Sequence, residues 1–89
     1  MSYTVKISPK LVKILRKLSK KDKVRYDAIY NKIEEISSSE DASHYKNLRY
    51  TLSDYKGVHI NSHFVLTFRI LGETISFEDF QHHDKIYRR

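Results

Sequence analysis

The sequence predicts an α+β fold: an N-terminal strand, an antiparallel helical hairpin, then a three-stranded antiparallel meander, in the order β–α–α–β–β–β, with the helices packed on one face of the sheet. Three observations predict it. The opening "SYTVKI" alternates, with Tyr3, Val5 and Ile7 on one side and Thr4 and Lys6 on the other, the period of a half-buried strand. Two apolar stripes at three-to-four spacing follow. The second half breaks into short runs rich in aromatic and β-branched residues.

Each element has local support. Ser8 is a good N-cap, and Pro9 stands at the first helical position, where its missing N–H costs nothing. Leu11, Ile14, Leu15 and Leu18 form the first stripe, widened by Val12. "SKKDK" reads as a polar turn between helices. Ala28, Ile29, Ile33 and Ile36 form the second stripe, with Tyr26 and Tyr30 on its flanks, and "SSSEDAS" ends it near residue 37. Helices joined by a short turn form a hairpin. "DYKGVHI", "FVLTFRIL" and "ETISFEDF" are the meander strands, Gly72 marks a turn, and "QHHDKIYRR" is a short tail.

Composition narrows the class. Eighty-nine residues make one domain, 1–89, with a core limited by a chain that buries about 60–65% of its unfolded surface. No cysteine is present, so disulfides and thiolate metal sites are excluded. No run approaches the ~18 apolar residues of a membrane span, and the N-terminus lacks a signal-peptide stretch. A soluble, cytoplasmic protein is expected. The formal net charge of +6 favours polyanions or an acidic protein partner. The charge is uneven: residues 6–25 hold nine Lys/Arg and a single acid, Asp22, whereas Glu34, Glu35, Glu40 and Asp41 cluster without a base. A solvated helical face is the plain reading of such a run.

All five histidines fall after residue 43. Strand period places Val58 and Ile60 toward the helices and His59 on the other face. Phe64, Leu66, Phe68 and Ile70 form the core set of the next strand, leaving Thr67 and Arg69 open. In "TISFEDF" both alternating sets are mixed, and the pattern assigns neither to the core. His63 sits in the turn beside His59. Lys46, Arg49, Lys56, Lys85, Arg88 and Arg89 add charge, and Tyr55 and Tyr87 add planar rings. Imidazole exchanges protons near neutral pH, a cation stabilises a pentacoordinate phosphate, and a ring stacks on an unpaired base. Together they suit cleavage of RNA by its own 2′-hydroxyl. Singly, each histidine is more often a surface or hydrogen-bonding residue. The His59–His63 spacing would suit zinc on a helix, but here it spans a turn. No metal and no cofactor are expected.

The motifs "VHINSHFVLTFRI" and "HHDKIY" resemble those of the RelE/ParE toxin superfamily, and of its YafQ-like branch of mRNA interferases most closely. The resemblance covers nearly the whole chain. It implies a ribosome-dependent endoribonuclease that cuts mRNA in the A site and is silenced by a cognate antitoxin, with mRNA and ribosomal RNA as further partners and a monomeric toxin within the toxin–antitoxin complex. His59 matches the first histidine of the family pattern, and His83 and Tyr87 match the terminal histidine and aromatic. His44 matches an upstream histidine once the gap is adjusted. His63 stands where those relatives carry aspartate, and Phe64 where they carry tryptophan. The implied roles are proton transfer by His83, with His59, His44 and His63 as acid, base or phosphate contacts. Arg69 or Lys56 would steady the phosphate, and Tyr87 and Phe64 would stack on bases. Lys13, Lys17, Lys20, Lys21 and Lys23, with Arg16 and Arg25, would meet ribosomal RNA. The competing readings are a topoisomerase-binding toxin of the ParE type, which lacks the histidines, and an inactive RNA- or protein-binding member of the fold.

Overall fold

The computed structural model describes residues 3–45, 47–48 and 54–87, with side chains through Lys85. Strand β1 (Thr4–Ile7) leads into helices α1 (Pro9–Lys21) and α2 (Lys23–Ser37); a 3₁₀ turn (Ala42–His44) precedes β2 (Lys56–Ile60), β3 (Phe64–Leu71), β4 (Thr74–His82) and a short α3 (His83–Tyr87). The four strands form one sheet in the order β1-β4-β3-β2. The meander is antiparallel, while β1 lies parallel to β4 at the edge. The expected α+β order holds, with the helices on one side.

The hairpin is tighter than the polar stretch "SKKDK" predicts. Ser19, Lys20 and Lys21 continue α1, and Asp22 alone separates the helices. Its backbone N–H donates to the Leu18 carbonyl (2.8 Å), closing α1, while its carboxylate accepts from the Arg25 N–H (3.1 Å), opening α2. Lysines suit the last turn of a helix, where the dipole is negative, so charge extends α1 instead of breaking it. Ser8 caps α1 as expected, its hydroxyl accepting from the Leu11 N–H at 3.1 Å.

The core lies between the hairpin and one face of the sheet. Leu11, Ile29 and Ile36 meet Leu66, Phe68, Ile75 and Phe77, all without exposed surface. Truncating any of the phenylalanines to alanine would cost about 3–5 kcal/mol. A β-bulge explains why β4 read as mixed. Phe68 pairs with Phe77, but Thr67 pairs with Asp79, so Glu78 is an extra residue on β4. The inserted residue lets Phe77 and Phe80 occupy the same face despite their odd spacing. Ser8 also anchors the bulge, its hydroxyl donating to the Glu78 carbonyl at 2.6 Å.

The second face is not open along its whole length. Thr67 is buried, contrary to its expected exposure, as is Val65 beside it. The chain after the 3₁₀ turn causes this. Tyr45 packs edge-on to Phe68 on the helix side (5.8 Å), Asn47 bridges to Lys56 along the β2 edge, and Leu48 then packs on Val65 and Tyr55. The segment wraps the sheet edge from one face to the other. Gly57 admits it: a Cβ there would stand 2.7 Å from Leu48 Cδ2.

Candidate active site

The β2–β3 connection positions the first imidazoles. Asn61 and Ser62 take positive φ (57° and 67°), a conformation Asn tolerates better than most residues. The resulting three-residue turn, Asn61–His63, closes the hairpin between Ile60 and Phe64. His59 pairs with Val65, and Val65 with Gln81, so this row lies on the face away from the hairpin. The ladder continues one step past β4, where the His83 N–H donates to the His63 carbonyl at 2.6 Å. That bond sets His83 at the start of α3 beside the same row.

As a result His59 and His83, 24 residues apart in sequence, stack with ring centroids 5.6 Å apart and planes inclined by 29°. His59 is exposed and His83 half-exposed. A second pair forms next to it: His63 and His82 stack at 6.2 Å. His82 accepts the Asp84 N–H at Nδ1 (3.2 Å) and meets the Phe64 ring edge-on, which places it in the joint between β4 and α3. The Asp84 carboxylate lies 3.6 Å from His83 Nδ1 and 3.8 Å from His82 Nδ1. Sequence reasoning passed over Asp84, although its place directly after two histidines was the available signal.

The remaining residues singled out from the sequence lie elsewhere. His44 sits on the 3₁₀ turn, its Nδ1–H donating to the Asp41 carbonyl (2.6 Å) and its ring against Tyr45; none of these contacts reaches His59 or His83. The Asp41 carboxyl is held below the usual range by the Ser43 hydroxyl and N–H, helped by His44 and Lys56. Lys56 Nζ donates to the Ser43 carbonyl (3.0 Å), the Tyr45 carbonyl (2.8 Å) and Asn47 Oδ1 (2.8 Å). An ammonium has three donors, and all three clamp the segment that wraps the edge. Arg69 does lie on the face of the imidazole pair, opposite Ser76. It stands four residues along β3 from Val65, roughly 13 Å from the His59 row. Its guanidinium reaches the Tyr55 hydroxyl (3.5 Å) and ring (5.3 Å), and those contacts, with Glu78 and Asp54, raise its pKa further.

Phe64 belongs to the helix side. It stacks on Phe80 (5.1 Å, 7°) and carries the Arg25 guanidinium 4.2 Å over its ring. Tyr87 closes α3, but its side chain lies outside the described residues, as do Lys46, Arg49, Arg88 and Arg89. Lys13, Lys17, Lys20, Lys21 and Lys23 are all exposed. The first three recur at helical spacing along one side of α1, and Lys23 pairs with Asp27 at 3.3 Å. Among the described residues no cluster of three or more His, Asp or Glu is arranged to hold a metal ion, and no helix is long and apolar enough to cross a membrane.

A basic helical hairpin thus covers one face of a four-stranded sheet and an imidazole pair stands on the other, and comparison with known proteins supplies the family. A Methanocaldococcus jannaschii protein named "Putative toxin RelE4" is 49% identical over 89 residues, spanning 98% of this chain and 93% of its own. An uncharacterized protein of Methanosarcina mazei is 42% identical over 87 residues, spanning 96% of this chain and 99% of its own. The chain belongs to the RelE family of toxins. Its fold is that of Escherichia coli YafQ, with a TM-score of 0.70 at 15% identity over 96% of this chain and 98% of that one. A hypothetical protein of Helicobacter pylori, HP0894, shares the fold with a TM-score of 0.61 at 13% identity, over 92% of this chain and 96% of that one. No family model matches the chain.

Proposed function

We propose that this protein is the toxin of a type II toxin–antitoxin system and acts in the cytoplasm as a ribosome-dependent endoribonuclease on mRNA. The observation that carries this reading is the 5.6 Å stack of His59 on His83, on the sheet face turned away from the hairpin. Two imidazoles at this separation serve one phosphodiester. One takes the proton of the 2′-hydroxyl, the 2′ oxygen attacks phosphorus, and the other protonates the departing 5′ oxygen. The products are a 2′,3′-cyclic phosphate and a free 5′-hydroxyl. The Asp84 carboxylate, 3.6 Å from His83 Nδ1, is placed to fix the orientation of that ring. Arg69, about four strand residues away, suits a phosphate further along the message, and His44 and Lys56 hold the edge-wrapping segment. The exposed α1 lysines suit ribosomal RNA, or an acidic antitoxin that competes for the same charge.

Expression of wild type, His83→Ala and His59→Ala in cells, with mRNA ends mapped, tests the reading. Wild type is expected to produce cuts within codons that each substitution abolishes while the fold is retained. Growth arrest with intact mRNA and damaged DNA would overturn it in favour of topoisomerase poisoning.

A further inference from the structure

At the end of the sheet where β4 meets α3, a concavity of about 270 Å³ opens on the hairpin side. Its floor is apolar: Ile14 and Leu18 from α1, with the stacked rings of Phe64 and Phe80. Its rim carries the cations Arg25 and Lys85, and no carboxylate lines it. The Arg25 guanidinium is held in place, with Nη1 3.0 Å from Asp22 Oδ2 and Cζ 4.2 Å over the Phe64 ring. Gln81 and His82 form the remaining wall.

We propose that this cavity is a subsite for one nucleotide of the RNA, the unpaired base lying on the Leu18–Phe80 floor and a phosphate at Arg25 and Lys85. The proposal rests on the endoribonuclease reading for its substrate class. Two features favour a nucleotide over an acidic peptide. The cavity adjoins the imidazole pair, since His82 is its wall and His83 is the next residue. Phe64 and His82 face each other across the last rung of the β3–β4 ladder, so a strand lying on the His59–His83 surface can pass over the sheet end and place its next nucleotide here. A volume near the lower limit of small-molecule sites suits a single base better than a peptide helix.

The test is nuclear magnetic resonance titration of His83→Ala, which binds without cutting, with adenosine 5′-monophosphate and cytidine 5′-monophosphate. Saturable shifts of the Ile14 and Leu18 methyls are expected. Lys85→Gln, at an exposed position, should weaken binding about two- to fivefold. Leu18→Trp, accepted only if it unfolds cooperatively, should fill the cavity and remove those shifts. Equal shifts from inorganic phosphate alone would reduce the cavity to an anion site and overturn the proposal. So would a response to an acidic peptide but not to nucleotides, or silence of the cavity in a wild type that cuts mRNA. Nucleotide shifts in the cavity of a wild type that cuts nothing would retain the subsite and reject the endoribonuclease reading instead.

Discussion

Replacing Lys56 with methionine keeps the length of the side chain and deletes the three donors that hold Ser43, Tyr45 and Asn47 against the β2 edge. A hydrogen bond from a charged group contributes about 1.5–3 kcal/mol when water is excluded. Here two of the acceptors are main-chain carbonyls at a partly exposed edge, where water replaces much of what is lost. An opening cost lowered by about 2 kcal/mol for the three bonds together is therefore expected. The clean report is the Leu48 amide, which donates to the Tyr55 carbonyl at 2.8 Å just beyond the clamp. At ten-fold per 1.4 kcal/mol, its hydrogen exchange should quicken roughly 30-fold. Core amides of β3 and β4 should change far less. Cleavage of mRNA below the melting range should stay within a few-fold of wild type, since no Lys56 donor is left over for phosphate. Unchanged Leu48 exchange together with a hundred-fold loss of cleavage would refute this and return Lys56 to a place on the scissile phosphate.

Deleting Glu78 should leave a protein with a cooperative urea transition, because Phe77 and Phe80 then alternate inward on a regular strand. Deleting Ser76 shifts Ile75 out of phase with Phe77 and should abolish the transition. The lowered Asp41 pKa contributes stability that is present above the unfolded value, about pH 4, and lost as pH falls through the folded one. Urea midpoints between pH 5 and pH 2.5 should therefore drop more steeply in wild type than in Asp41→Asn. Neutralising Lys13, Lys17 and Lys20 together should lower the dependence of ribosome affinity on log salt by about two to three units, as measured by pelleting. An unchanged slope would remove the α1 face from the ribosomal contact.

What the sequence determined by itself was everything that depends on local periodicity. The β1 alternation, the Ser8–Pro9 start, the two apolar stripes and the meander were legible because three-to-four and two-residue spacings decide which side of an element is apolar. His59 was placed on the face away from the hairpin by the same rule. The helix connection was misread because Lys20 and Lys21 look like turn residues, yet they stabilise a helix end through the dipole. Tertiary structure decided what crosses between elements. The bulge at Glu78 breaks the two-residue period, so no reading of "TISFEDF" alone brings Phe77 and Phe80 to one face. Thr67 lost its solvent because Leu48 arrives from a segment without periodicity, admitted by a glycine on another strand. The meeting of His59 with His83 depends on the register of two ladders and on one further rung from the His83 N–H to the His63 carbonyl. Register is fixed by burial of the whole sheet face and not by any stretch of the chain. For the same physical reason, a histidine four residues from His59 found its ring partner in His82, and Lys56 spent its charge on the backbone.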